Sequence, residues 1–127
     1  MLRRVTKRIV VEAGLERVTF RDDMLELFVW TRREYIKGFE LCYAIRTPHE
    51  WSMRWTDTEG VSFYRADPES WCGDSCGQRV MSELQFEIPP VGELETEFVA
   101  RSLLIDERMR RVVLQQLMLL RNPRCAP

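Results

Sequence analysis

The sequence contains one histidine among 127 residues, and it lacks the features that most readily assign a function. No apolar stretch approaches the roughly 20 residues that a membrane-spanning helix requires, and the basic N-terminus lacks the long apolar core of a secretory signal. There is no glycine-rich phosphate-binding loop, and neither a strongly basic segment nor a nucleic-acid-binding motif occurs. These absences predict a cytoplasmic protein that binds neither membrane nor nucleic acid.

Charge is unevenly spread over a chain whose length favours a single domain. Residues 1–47 carry ten basic and seven acidic side chains (+3), residues 48–97 carry three and eleven (−8), and residues 98–127 carry six and two (+4), which gives the net charge of −1. An acidic middle between basic ends fits charge balance within one chain, and it also fits self-association. Both interpretations stay open at the level of sequence.

Alternation of apolar and polar residues is the main pattern before residue 89. In residues 50–56, Trp51, Met53 and Trp55 fall on one face and the residues between them on the other, as in a half-buried strand. Residues 1–13 fit either a strand or a helix, and we favour a strand. Further strand patterns cover residues 15–20, 24–30, 35–47, 60–66 and 78–88. The short breaks between most of these strands cannot hold crossover helices, so neighbouring strands are expected to be antiparallel.

The pattern changes after the two prolines at 89–90, since proline cannot donate a hydrogen bond to a sheet. Residues 93–121 are predicted to be helical, with Asp106 as the N-cap of the second helix, and residues 122–127 form a tail. The second helix carries a broad apolar stripe, and Leu114 and Met118 lie about 100° around the helix from its main row. One sheet cannot easily cover both rows, so Leu114 and Met118 are candidates for a homodimer interface.

These elements predict an α+β fold in a single domain that spans residues 1–127. Residues 1–88 are expected to form a curved antiparallel β-sheet of about five to seven strands in meander order. The C-terminal helical segment is expected to pack on the apolar face of that sheet, because each layer must bury its apolar surface against the other.

The stretch WCGDSCG at residues 71–77 is the clearest candidate for chemistry. Cys72 and Cys76 stand at the upper end of the spacing used by paired zinc ligands, but a structural zinc site usually needs four ligands and no second pair follows. Their spacing also exceeds that of a thioredoxin-type site. A disulfide and a surface loop with two free thiols are the remaining alternatives. The sequence therefore predicts no metal and no cofactor, and Cys72 and Cys76 are the residues that a zinc site would use.

Aromatic residues on the predicted strands offer a second candidate site. Rings on a curved sheet beneath a helix can line an apolar pocket, which is the usual form of a small-ligand site. Histidine is the residue type best suited to acid–base catalysis near neutral pH. The pocket would be lined by Trp30, Tyr43, Trp51, Trp55 and Phe63, with His49 at its rim. The competing interpretation is that these rings are ordinary core and that His49 lies in an exposed turn.

Residues 24–67 resemble a set of short bacterial proteins with no assigned activity. The resemblance rests on LELFVW at 25–30, IKGFELCY at 36–43, Trp55, Gly60 and FYRAD at 63–67, with a weaker echo in the C-terminal helical segment. Those proteins often continue with tyrosine and aspartate and carry a histidine near the later glycine, whereas this chain has Ala44 and Phe63. The resemblance implies an uncharacterised bacterial domain and gives no residue a role.

The leading hypothesis is a small non-enzymatic binding or interaction domain that forms a homodimer and contacts a small molecule or another protein. One alternative is a small-ligand-binding protein or enzyme that uses the aromatic pocket between sheet and helix. Another is a zinc-stabilised adaptor built around Cys72 and Cys76. The first requires an exposed binding surface, the second an enclosed pocket, and the third a metal site.

Overall fold

The structure is a computed structural model that describes residues 1–5, 8–12, 14–66, 81–83 and 89–121. These residues form eight strands followed by two helices. The strands are β1 (Arg3–Arg4), β2 (Ile9–Glu12), β3 (Leu15–Arg21), β4 (Leu25–Arg32), β5 (Tyr35–Tyr43), β6 (Trp51–Thr56), β7 (Gly60–Ala66) and β8 (Met81–Glu83). The helices are α1 (Val91–Arg101) and α2 (Glu107–Arg121).

All the strand pairings are antiparallel, and from β3 to β8 each strand pairs with the next one along the chain. β1 and β2 pair with successive parts of β3, so together they act as one interrupted edge strand of a seven-strand path. Short connections from β3 to β7 favour this order because they leave no room for a crossover. The prediction of an α+β fold with a meander sheet and C-terminal helices is confirmed, and the strand interpretation of the N-terminal segment holds where that segment is described.

The β4–β5 hairpin turns through two residues that are unusual for their conformation. Arg33 and Glu34 adopt φ angles of 49° and 72°, although tight two-residue turns of this hand normally use asparagine and glycine. The Arg108 side chain of α2 donates a hydrogen bond from Nη2 to the Glu34 carbonyl oxygen at 2.7 Å. This hydrogen bond from α2 therefore helps to stabilise the turn, since Arg33 and Glu34 do not favour the conformation that the turn requires.

The hydrophobic core lies between one face of the sheet and the two helices, and we call this face the helix-side face. Its fully buried strand residues include Leu27, Phe39 and Met53, which pack with Phe98 of α1 and Val113 of α2. Alternation turns every second residue of β4, β5 and β6 toward this core. Neither helix of the described part of the chain is long and apolar enough to cross a membrane.

Both predicted helices are present, and the second begins as expected. Asp106 accepts hydrogen bonds at Oδ1 from the backbone N–H of Arg108 at 3.0 Å and of Met109 at 3.3 Å. This side chain satisfies backbone donors that have no partner inside the helix, which is the role of an N-cap. α1 begins two residues before the predicted position 93.

A polar clamp ties α1 to the turn between β3 and β4. The Asp22 carboxylate accepts hydrogen bonds from the backbone N–H of Met24 and of Leu25, both at 2.8 Å, and from Arg101 Nη1 at 3.0 Å. Burial alone would raise the pKa of Asp22, but these backbone and arginine hydrogen bonds more than offset it and lower the pKa. Arg101 also contacts the exposed Asp23 at 2.8 Å. The clamp fixes the end of α1 against the sheet.

Candidate functional site

The face of the sheet turned away from the helices, here called the open face, carries the polar side chains of the central strands. Glu26 of β4 pairs with Cys42 of β5, Cys42 with Ser52 of β6, and Ser52 with Tyr64 of β7. These four residues therefore form one row across the sheet, because side chains of paired residues lie on the same face. A neighbouring row is formed in the same way by Phe28, Glu40, Arg54 and Ser62.

The two rows line a cleft of about 360 Å³. A volume of this size lies within the range of small-molecule sites. Its lining residues are Glu26, Phe28, Glu40, Cys42, Glu50, Ser52, Arg54 and Tyr64. The cleft thus combines three carboxylates, one guanidinium group, two aromatic rings, a thiol and a hydroxyl.

Arginine side chains contact Glu40 and Glu26. Arg54 donates from Nη2 to Glu40 Oε1 at 2.9 Å, and Arg21 contacts Glu26. The Arg54 guanidinium also lies over the Tyr64 ring, 4.9 Å from its centroid, in the geometry of a cation–π contact. These contacts hold the carboxylates and the ring in fixed positions around the cleft.

Cys42 is a buried thiol in an acidic environment. Burial raises its pKa well above the usual range, and the negative charges of Glu40, Glu50 and Glu26 raise it further. The thiol therefore stays protonated near neutral pH, and a protonated thiol is a poor nucleophile and a poor metal ligand. Cys42 therefore contributes a small uncharged side chain to the lining of the cleft.

Ser52 is the unusual member of the site. It is 3% exposed, and its Oγ has no nitrogen or oxygen hydrogen-bond partner among the described residues. Its cross-strand neighbour is Cys42, and the hydrogen bond between the two side chains is weak, because sulfur is a weak donor and a weak acceptor. Buried hydroxyl groups are normally well hydrogen-bonded, so Ser52 is an exception at the wall of the cleft.

Glu50 enters the cleft from a constrained loop. Its side chain is 1% exposed, and Oε1 accepts a hydrogen bond from the backbone N–H of Arg46 at 3.1 Å. Ala44 and Arg46 adopt φ angles of 55° and 61°, a conformation that costs free energy for residues other than glycine. Thr47 Oγ1 donates to the Ala44 carbonyl oxygen at 2.7 Å and closes the turn. Glu50 therefore stabilises the loop as well as adding negative charge to the cleft.

The aromatic residues predicted to line one pocket lie on two faces. Trp55 stacks on Phe39 with a ring-centroid distance of 5.8 Å, and Tyr43 and Phe63 also pack against the core on the helix-side face. Trp30 lies instead on the open face, where its ring centroid is 6.3 Å from that of Phe28. The structure does not bring Trp30 together with the other predicted rings.

Trp51 and Tyr43 border a crevice between the sheet and the segment that leads into α1. Leu94 and Pro90 form the opposite wall, and the crevice has no room for a water molecule. Its rings act as packing in this structure. His49 is exposed in the loop before β6, where its backbone N–H donates to Thr47 Oγ1 at 3.2 Å. The aromatic pocket with His49 at its rim stays a prediction.

The cysteine and interface predictions have different outcomes. Cys72 and Cys76 lie outside the described residues, and within the described ranges no three potential ligands come together as a metal site.

On α2, Leu114 packs partly against the core, whereas Met118 is 45% exposed. Both line a shallow groove with polar neighbours. A dimer interface at Leu114 and Met118 stays a prediction.

Sequence reasoning placed Ser52 and Arg54 opposite the apolar face, but it did not assemble them with Glu26 and Glu40 into a site. The missing information is the cross-strand register. A glutamate within an otherwise apolar strand, as at position 26, was the available signal, because a buried carboxylate is rare unless it is paired.

No protein-family model, curated protein or solved structure that was compared with the chain matches it. The resemblance of residues 24–67 to short bacterial proteins therefore stays a prediction.

Proposed function

We propose that this chain is a small binding domain whose cleft on the open face takes a small organic cation, an ammonium or guanidinium compound. The observation that carries the proposal is the Ser52 side chain, which lines the cleft and whose buried Oγ has, among the described residues, no nitrogen or oxygen partner but only the weakly bonding Cys42 thiol. Leaving such a group unsatisfied costs about 1–3 kcal/mol. A ligand that hydrogen-bonds to Ser52 recovers that cost, and this gain is specific to the bound state.

The balance of charge in the cleft supports a cation. Glu26, Glu40 and Glu50 line the cleft, and Arg54 is the basic residue in its lining. Burial is the main cause of the raised pKa of Cys42, and the same three carboxylates raise it further. Arg21 and Arg54 contact Glu26 and Glu40, so a cation in the cleft competes with these arginines for the carboxylates, whereas an anion finds a single guanidinium group in the lining.

The aromatic rings support the same class of ligand. The Arg54 guanidinium lies over the ring of Tyr64, and the Arg17 guanidinium lies over the ring of Phe28, 5.3 Å from its centroid. Both rings thus already pack against guanidinium groups of the protein itself. A cationic ligand makes a cation–π contact on these ring faces where it displaces the guanidinium group that already lies there.

Recognition is favoured over catalysis by the state of the reactive side chains. The Cys42 thiol is buried and its pKa is raised, so it does not act as a nucleophile near neutral pH. His49, the histidine of the sequence, is exposed in its loop and does not line the cleft. The groups in the cleft therefore favour reversible binding of a charged ligand.

Calorimetric titration with methylguanidinium and with N-methylurea tests the proposal, because N-methylurea is a neutral molecule of nearly the same shape. We expect methylguanidinium to bind with a dissociation constant on the order of 1 mM and N-methylurea to bind at least about tenfold more weakly. Glu40→Gln removes one cleft carboxylate and frees Arg54, so it should weaken methylguanidinium binding at least about tenfold.

Glu59→Gln is the matched control, because Glu59 is exposed in the turn between β6 and β7 and lies outside the cleft. This variant removes the same charge and should leave binding unchanged. The proposal is wrong if the two probes bind equally, if neither binds, or if Glu59→Gln weakens binding as much as Glu40→Gln does.

We also propose that the domain pairs with a second copy of itself. A long stretch of exposed apolar surface supports self-association, since large exposed apolar patches commonly mark interaction sites. α2 offers one such side chain, Met118, at the edge of a groove lined largely by charged residues. The N-terminal edge of the sheet offers a larger apolar surface.

A further inference from the structure

We propose that two copies of this chain join edge to edge through β2, with residues 8–12 of each copy paired antiparallel about a twofold axis at Val10. This inference rests on the proposed self-association and is independent of the ligand in the cleft. It assigns the interface to the edge of the sheet, and not to Leu114 and Met118 of α2.

β2 presents an apolar strand to solvent. Ile9, Val10 and Val11 are 41%, 66% and 51% exposed. Among the described residues, β2 pairs with β3 along one side, which leaves its other edge open. An exposed apolar edge strand presents unpaired backbone N–H and C=O groups, and these form hydrogen bonds with another strand when one is in reach.

The sequence of this edge is complementary to itself. In an antiparallel pair centred on Val10, residue 8 faces residue 12 and residue 9 faces residue 11. Arg8 then lies opposite Glu12 of the partner subunit, and Ile9 lies opposite Val11 of the partner subunit. The twofold axis repeats both contacts and places Val10 opposite Val10 of the partner subunit, so the pairing contains two opposite-charge pairs and three β-branched pairs, each of which favours strand association.

Arg8 and Glu12 are available for these contacts. Arg8 Nη1 lies 3.2 Å from Glu16 Oε2, and Glu12 Oε1 lies 3.0 Å from Arg32 Nη2. The Arg8 and Glu12 side chains are nevertheless 52% and 64% exposed. Exposed pairs of this kind contribute little to stability, so the side chains can turn toward a partner at small cost.

The same features argue for a second copy of this chain as the occupant. Charged residues normally protect an edge strand from indiscriminate pairing, and the bulge between Val10 and Glu12 keeps the regular part of the edge short. Arg8 and Glu12 flank three β-branched residues. An antiparallel copy in register therefore places each of these charges opposite one of the other sign, whereas a copy shifted along the strand does not. The short strand buries a small area, so we expect a weak dimer that forms reversibly.

Sedimentation equilibrium of the full chain, from about 1 µM to about 1 mM, tests the interface through a charge-exchange series. Arg8→Glu places two glutamates opposite each other at both ends of the pairing, and Glu12→Arg places two arginines there. Each variant should weaken dimerisation at least about tenfold. An equimolar mixture of the two variants restores both opposite-charge pairs, so it should form a heterodimer of normal affinity.

Two further variants complete the series. The double variant Arg8→Glu with Glu12→Arg should form a homodimer again. Arg3→Glu changes the same charge on β1, outside the pairing, and should leave dimerisation unchanged. Recovery in the mixture also shows that the single variants are folded, since an unfolded chain could not pair in register.

Three results would overturn the interface. They are a monomer over the whole concentration range, single variants that dimerise as well as the original chain, and variants whose mixture does not recover. A dimer lost on Met118→Asp, but unchanged by Arg8→Glu, would assign the interface to α2. Methylguanidinium titration of the same variants keeps the two proposals separate, because these substitutions lie outside the cleft.

Discussion

Adjacent residues of β5 show how differently the two faces of the sheet are built. Phe39 is fully buried on the helix-side face, where Trp55 and Phe98 belong to the same core. Glu40, the next residue, lines an open cleft and contacts Arg54. The helix-side face is filled by complementary apolar side chains, whereas the open face keeps space, charge and a weakly hydrogen-bonded hydroxyl.

On the proposed function, this difference separates stability from recognition along the same strands. A filled apolar face contributes free energy of folding roughly in proportion to the surface it buries. An open polar face contributes little to folding, and it retains groups that satisfy their interactions better when a ligand is bound. Each central strand of the sheet therefore alternates between side chains that face the core and side chains that face the cleft.

The largest expected effect is on the helix-side face. Phe39→Ala should lower the free energy of unfolding by about 3–5 kcal/mol, because it removes a buried ring and leaves a cavity. Glu40→Ala should lower it by about 1 kcal/mol or less, since it breaks a partly exposed ion pair. Denaturant unfolding measures both values, and equal losses at these adjacent positions would show that the open face is packed as tightly as the other.

The clamp at Asp22 supports the helix-side face, and its loss should have an intermediate effect. Asp22→Asn should lower the free energy of unfolding by about 1.5–3 kcal/mol, because it removes a charged acceptor from Arg101. Asp23→Asn is the matched control, since Asp23 contacts Arg101 but its side chain is 84% exposed. We expect it to change stability little, and we expect neither variant to alter methylguanidinium binding.

The pH dependence of the Asp22 contribution has a definite sign. The pKa of Asp22 is lowered in the folded protein from its ordinary value of 3.8. Its contribution is therefore complete above that value, and it is lost as the pH falls through the pKa of the folded state. Unfolding measured across the acid range should be less dependent on pH in Asp22→Asn than in the original chain. An unchanged pH profile would contradict the clamp.

The smallest expected effect is at Ser52 and has the opposite direction. Ser52→Ala removes a buried hydroxyl that, among the described residues, has only the weakly bonding Cys42 thiol as a partner, so the free energy of unfolding should stay the same or rise by up to about 1 kcal/mol. Ser62→Ala removes a hydroxyl that donates to the Tyr64 hydroxyl at 3.4 Å, and it should slightly lower stability. A clear loss of stability in Ser52→Ala would mean that its hydroxyl is already satisfied within the protein.

The strands and helices could be predicted because their signals are local. Alternation identified β3 to β7, and a single side chain, Asp106, marked the start of α2. The cleft could not be predicted, because it requires the register that brings Glu26, Ser52 and Tyr64 into one row across three strand pairings. Those residues are far apart in the chain, and alternation alone does not say which positions of two strands face each other.

Two features of the site depend on conformations that sequence patterns do not indicate. Glu50 is buried because the loop before β6 passes through positive φ angles at Ala44 and Arg46, which are not residues that favour them. Trp30 and Trp55 were predicted to line the same pocket because both are aromatic. Alternation within β4, however, places Trp30 on the open face with Glu26 and Phe28. Residue type suggested a common pocket, and strand geometry separates the two rings.

The central claim is that the open face binds a cation while the helix-side face only holds the fold. NMR titration of the labelled protein with methylguanidinium tests this most directly, with side-chain signals from both faces read in the same sample. We expect the ring signals of Tyr64 and Phe28 to shift with ligand concentration, and the methyl signals of Leu41 and Met53 to stay in place. Shifts of equal size on both faces, or no shift on the open face, would contradict the account.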